Sequence, residues 1–132
     1  MIRIYADFHK ARPSPWDPAL EAVPLVCLGT LRDLCRLGVR LSEGLVCIVS
    51  MDSDEREDIA YQGVARFDRA SGRWWVEYDA KTLSYLPREA PPAVGLVCWS
   101  CGAVVGDRPA WTPDEKCDSC DALLEAPWAP PR

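Results

Sequence analysis

The sequence has no run of lysine or arginine, no long apolar stretch and only one histidine, His9. Its most apolar segments, 23–28 and 45–51, are too short to span a bilayer. Charged residues occupy the N-terminal stretch where a signal peptide needs an apolar run. The cysteine count, 7, is odd, which argues against a secreted disulfide framework. We therefore expect a cytoplasmic protein with no membrane partner.

The motifs by which many enzymes are recognised are also missing. The sequence holds no phosphate-binding glycine loop, no nucleophile elbow and no metalloprotease helix. Catalysis by a pair of cysteine and histidine would need a partner that the fold places beside His9. We predict no catalytic residues and a protein that is not an enzyme.

Acidic residues outnumber basic ones, 20 against 15, and the net charge is −5. Such a balance repels phosphate backbones unless a local basic patch forms. A phosphate-binding face would have to come from arginines such as Arg32, Arg36 and Arg40, which are spaced four apart and could line one side of a helix and its exit. Nucleic-acid binding therefore stays an alternative that the charge disfavours.

Short strands dominate the predicted secondary structure of residues 1–86. Apolar alternation and β-branched runs predict strands near 2–8, 23–28, 45–51, 59–68 and 73–79. A helix of about two turns is predicted from Thr30, as its N-terminal cap, to Gly38, which can end it in the left-handed conformation. The pattern predicts an α+β, mostly β fold, with a small bent sheet or partly open barrel and one short helix.

Proline clusters divide the chain into segments. We predict a β-rich domain over 1–86, a linker over 87–93, a second unit over 94–125 and an extended tail over 126–132. Within the first domain, the acidic segment 52–58 is predicted to be a solvated loop.

Several other residues have a predicted place in the fold. Alternation along the last strand puts Trp74 and Trp75 on opposite faces, so that one packs in the core and the other faces outwards. Trp75 is predicted to contact a partner, as is Trp128, which lies between prolines. The cysteines in apolar surroundings are expected to be buried as small hydrophobic residues: Cys27, Cys35 and Cys47.

Two cysteine pairs with the spacing CxxC make a strong metal-binding pattern. Cys98 and Cys101 are followed, after fifteen residues, by Cys117 and Cys120. Two such turns can bring four thiolates into the tetrahedral arrangement that zinc favours. A site closed by four thiolates has no open position, so we predict a structural zinc ion. Loss of any one cysteine is predicted to unfold this unit and to leave the rest largely intact.

On these residues, segment 96–124 resembles the zinc-ribbon family, in which two knuckles on hairpins hold one zinc. Gly102 matches the small residue that follows the first pair in such knuckles, whereas Asp121 stands in that position after the second pair. Cys98–Gly102 also suits the first turn of rubredoxins, which bind iron and transfer electrons. The second pair lacks the proline and glycine of that family.

Three functions remain open at this point. The first is a non-enzymatic adaptor or accessory subunit that binds another protein in a larger assembly, because the resemblance to zinc ribbons implies a partner. The alternatives are a nucleic-acid-binding zinc-ribbon protein and a rubredoxin-like iron protein that transfers electrons.

Overall fold

One open, mixed sheet of seven strands organises the computed structural model, which describes residues 1–53, 57–88, 98, 100–103, 105, 115–124 and 131. The strands are β1 (Ile2–Tyr5), β2 (Arg12–Pro13), β3 (Glu21–Pro24), β4 (Val46–Asp52), β5 (Glu57–Asp68), β6 (Arg73–Tyr78) and β7 (Ser84–Pro87). They are joined by one α-helix, α1 (Leu28–Leu37), and by 3-10 turns at Phe8–Lys10 and Ala80–Thr82. The prediction of a mostly β fold with an open sheet and one short helix is confirmed.

The long strand β5 is the centre of the sheet. The strand order is β1-β4-β5-β6-β3-β2, and β7 pairs with β5 beyond the end of β6. The pair β1–β4 is parallel, and all other pairs are antiparallel. The sequence pattern missed β2 and β7, because each contains a proline. Both lie at edges of the sheet, where a missing N–H costs no ladder hydrogen bond.

The hydrophobic core packs against one face of the sheet, the face to which Trp74, Val76 and Tyr78 of β6 point. Trp74, Val76 and Tyr78 are all buried there, as the strand period predicts. Helix α1 contacts β1 and contributes Leu34 to the same cluster. Of the described residues, no helix is both long and apolar enough to cross a membrane.

Helix α1 begins before the residue that was predicted to cap it. Thr30 lies inside the helix, and its hydroxyl donates a hydrogen bond of 2.5 Å to the carbonyl oxygen of Tyr5. The prediction of Thr30 as the cap is therefore wrong, because this hydroxyl joins the helix to the edge strand instead. Gly38 follows the helix with φ 64°, which confirms its left-handed position.

The prediction of a solvated loop over 52–58 is wrong at its ends. Asp52 and Asp58 are a paired position of β4 and β5, and Asp58 is buried. Its carboxylate accepts a hydrogen bond of 2.7 Å from Arg3 and another of 2.9 Å from Arg88. The two arginines compensate for the desolvation of this buried charge. The pairing joins strand β1 to the residue after β7.

Candidate metal centre

Four cysteine thiols meet at one point of the structure. The Sγ atoms of Cys98, Cys101, Cys117 and Cys120 all lie within 4.8 Å of one another. Cys98 and Cys120 are 3.7 Å apart, and Cys101 and Cys117 are 3.8 Å apart. A regular tetrahedron with Zn–S bonds of about 2.3 Å has edges of about 3.8 Å. A disulfide would need about 2.05 Å. The spacing therefore fits four ligands around one metal ion.

Each cysteine pair forms a turn closed by two backbone hydrogen bonds. In the first turn, the amide of Cys98 donates to the carbonyl oxygen of Ala103 at 2.9 Å. The amide of Gly102 donates to the carbonyl oxygen of Cys98, also at 2.9 Å. Gly102 has φ 74°, a left-handed conformation that glycine adopts without steric cost. The turn holds Cys98 and Cys101 on one side of the chain.

The second turn repeats this arrangement with aspartate in place of glycine. The amide of Cys117 donates to the carbonyl oxygen of Ala122 at 2.9 Å. The amide of Asp121 donates to the carbonyl oxygen of Cys117 at 2.8 Å. Asp121 has φ 63°, the one positive value among the described non-glycine residues. Aspartate tolerates this conformation better than most side chains. The departure from glycine at this position therefore leaves the backbone of the turn unchanged.

The electrostatics of the cluster favour a bound cation. Backbone N–H groups of Cys120 and Ser119 lower the pKa of the Cys117 thiol to about 7. The N–H of Ala122 acts in the same direction on Cys120, but desolvation and the neighbouring thiols outweigh it and raise the pKa of Cys120 to about 12. One thiolate forms readily, whereas further thiolates at this spacing repel one another. A divalent cation held by the four thiolates would remove that repulsion and would displace the remaining protons.

The cluster has a buried half and an exposed half. The first cysteine of each pair, Cys98 and Cys117, is buried, whereas Cys101 and Cys120 are exposed. Leu31 of α1 and Leu124 belong to the same buried cluster as the inner cysteines, each with an exposed fraction of 3%. The cysteine cluster is therefore packed against helix α1.

This arrangement can hold a metal ion but leaves no ligand position open. Four thiolates complete a tetrahedron, so no site remains for a water or substrate on a zinc ion. Soft sulfur ligands in a tetrahedron are typical of zinc and of iron. Among the described residues, no other group of histidine, cysteine or carboxylate side chains converges in this way.

The residues predicted to bind a partner are placed as follows. Trp75 is only 8% exposed, because the segment after the 3-10 turn at Phe8–Lys10 covers it. The guanidinium carbon of Arg12 lies 6.0 Å from its ring centroid, and its indole N–H donates to Ser71 at 3.3 Å. Partner binding by Trp75 stays a prediction. Trp128 lies outside the described residues.

The remaining candidate residues are not drawn into the centre. Cys47 is fully buried, and burial raises the pKa of its thiol to about 12. Cys27 is half-buried with its Sγ 3.1 Å from the hydroxyl of Thr30, and the side chain of Cys35 is outside the described part of the chain. His9 is exposed, and its Nδ1 atom lies 2.9 Å from Oδ1 of Asp7. The burial expected for Cys47 is confirmed.

Two structural features were missed in the sequence. Glu77 is buried on the outer face of β6, where it accepts hydrogen bonds from Ser14 at 2.5 Å and from Arg66 at 3.0 Å. No local pattern marks this pairing, because Ser14 lies far away in sequence. The second is the contact of Leu31 with the cysteines, which no local sequence pattern indicates.

The comparisons with known proteins found no match for this chain. No protein-family model, curated protein or solved structure matches it.

Proposed function

We propose that the chain binds one structural zinc ion through its four clustered thiolates, as a zinc ribbon does. The observation that carries this proposal is the spacing of the sulfur atoms, 3.7 and 3.8 Å, at the edge length of a zinc–thiolate tetrahedron. The matching turns at Gly102 and Asp121 support it, because they aim both cysteines of each pair at one point.

We further propose that the protein is a non-enzymatic adaptor or accessory subunit that binds another protein in the cytoplasm. Support comes from the closed metal centre, which offers no position for a substrate. Exposed apolar side chains provide contact area on both parts of the chain: Trp16 at 38%, Leu83 at 43%, Tyr85 at 58% and Leu123 at 56%. Aromatic and aliphatic groups of this kind are common anchors of protein interfaces.

Two alternatives remain as separate proposals. A rubredoxin-like iron centre would use the same four thiolates and would transfer electrons. Nucleic-acid binding would need the arginines of α1. Arg32 is exposed there, whereas the side chain of Arg36 is outside the described residues. The acidic net charge of −5 counts against this alternative.

The metal is tested by elemental analysis of the purified protein together with its absorption spectrum. We expect one zinc per chain and no visible colour. Cys117→Ser should lose stoichiometric zinc, whereas Cys27→Ser, a matched change outside the cluster, should retain it. Iron with visible charge-transfer bands would establish the electron-transfer alternative instead.

The adaptor role is tested by affinity capture from the native host. A specific protein should be retained by the wild type and lost with Leu123→Ala or Trp128→Ala, while both variants keep their zinc. Retention of RNA or DNA at low salt, with no protein, would favour the nucleic-acid alternative. If the wild type retains neither, the adaptor proposal is wrong.

A further inference from the structure

Helix α1 lies between the sheet and the metal centre. Leu34 points into the core of the sheet domain, and Leu31, one turn earlier, is buried with Cys98, Cys117 and Leu124. The two leucines are three residues apart, so they occupy neighbouring stripes of the helix surface. Leu31 therefore depends on the cysteine cluster for its burial, beside the part of the helix that Leu34 packs into the core of the sheet.

The same helix protects the edge of the sheet. Strand β1 is an edge strand that pairs only with β4 among the described residues. Its free side is occupied at Tyr5, where the amide donates to the carboxylate of Asp33 at 2.8 Å and the carbonyl oxygen accepts from Thr30 at 2.5 Å. Unpaired backbone groups on a strand edge otherwise attract further strands.

The contact between helix and edge strand is close at the first turn of α1. A Cβ atom added at Gly29 would lie 2.6 Å from Cδ1 of Tyr5. The ring of Tyr5 therefore lies directly against the first turn of α1, beside the residues that bind its backbone. Any displacement of the helix must break these contacts together.

We propose that metal binding at the cysteine cluster controls the docking of α1 on the edge of β1. This inference rests on the proposed binding of zinc. A unit as small as the cysteine turns obtains its folding free energy from the metal, so it unfolds when the metal is removed. Leu31 then loses its cover. A helix of ten residues is marginal without tertiary contacts, so it loosens and releases both backbone groups of Tyr5.

The Tyr5 amide is a direct probe of this coupling. We would measure hydrogen exchange of the full chain with zinc bound and after chelation, with the zinc content of each sample determined. Chelation should speed exchange of the Tyr5 amide and of α1 by at least about tenfold, because these groups exchange through local opening. The amide of Val76 lies in β6, which is paired on both sides, and its side chain belongs to the core of the sheet; this amide is the internal control and should change little.

The outcomes separate this inference from the proposal on which it rests. If the wild type binds no zinc, both are wrong. If it binds zinc and the Tyr5 amide exchanges equally fast with and without it, zinc binding stands and the coupling to β1 is refuted.

A matched pair of substitutions tests the coupling from the other direction. Leu31→Ala should weaken zinc binding by about tenfold or more, because the cavity it leaves lies between helix and cluster. Leu37→Ala makes the same change in the same helix at a side chain that is 41% exposed, and it should leave the affinity unchanged. Equal affinities for the two variants would refute the coupling even if both proteins fold.

Discussion

The left-handed residue of the second cysteine turn permits a quantitative test of how the centre is built. Asp121 has φ 63° at the position where Gly102 has φ 74° in the first turn. An L-residue with a Cβ atom costs roughly 1–2 kcal/mol in this conformation. Glycine avoids this cost but loses about 0.5–1 kcal/mol through its greater freedom in the unfolded chain. The balance favours glycine over alanine at this position by about 1 kcal/mol.

We therefore compare Asp121→Gly with Asp121→Ala, since both remove the same carboxylate. If the backbone conformation decides, the glycine variant should bind zinc about fivefold more tightly than the alanine variant, as about 1 kcal/mol implies. The assay is competition for zinc with a chromophoric chelator of known affinity. Asp118→Ala removes a carboxylate from the same turn outside the left-handed region and serves as the control for charge.

The result that would refute this reasoning is equal binding by the glycine and alanine variants. Both falling well below the wild type by the same factor would mean that the carboxylate itself stabilises the centre. Tighter binding by the alanine variant would mean that the turn does not keep its left-handed residue in solution.

Three further predictions concern the sheet domain. The pKa of Cys47 is raised from 9.0 to about 12, so the folded state keeps a proton that the unfolded state loses. The stability of the wild type should therefore fall as pH rises above 9. In urea titrations, the difference in unfolding free energy between wild type and Cys47→Ala should shrink by about 1.4 kcal/mol per pH unit. A difference that stays constant with pH would contradict this prediction. Gly29→Ala should destabilise the fold by about 1–2 kcal/mol because its Cβ meets Tyr5, although helix propensity alone predicts a gain of about 1 kcal/mol; a higher melting temperature would contradict the close contact. Ser14→Ala should cost about 1–3 kcal/mol, because Glu77 is buried and loses a donor, and equilibrium unfolding would show it.

The strands of this fold could be predicted from the sequence where a local pattern of residues determines them. Alternation in β6 predicted that one of Trp74 and Trp75 would pack in the core, and Trp74 does so. Residues Arg69–Gly72 form the turn between β5 and β6. Gly72 lies in that turn with φ 67°. The short edge strands were not readable, since an edge position is a property of the assembled sheet. A proline that excludes a central strand is acceptable there.

The burial of both faces of β6 shows the limit of such patterns. Alternation assigns Trp75 to the outer face but gives no information about what covers that face. In the structure, Arg12 lies over Trp75 and Ser14 binds Glu77, so a segment distant in sequence makes this face a second buried surface. Contacts between distant segments depend on topology, which no short window of sequence contains.

The convergence of the four cysteines was predictable for the opposite reason. The spacing of two residues within each pair fixes where both sulfurs of a turn point, so local sequence carries the geometry of half a site. Joining the halves requires only that the intervening chain bring the two turns together. The contact with Leu31 is of the other kind, because it links the cluster to a helix more than sixty residues earlier.

The division of the cluster into two halves relates the two proposals to each other. The inner cysteines are packed against Leu31 of α1, whereas Cys101 and Cys120 are exposed, as is the side chain of Leu123. A protein partner can therefore contact the outer half without displacing the helix from the inner half. Changes at Leu31 should act on metal affinity and on the edge of β1, while changes at Leu123 should act on the partner alone. Because Leu31 is buried with the inner cysteines and Leu123 is exposed, loss of partner binding with full zinc content would assign the interface to Leu123, whereas loss of both together would indicate that the cysteine cluster has unfolded.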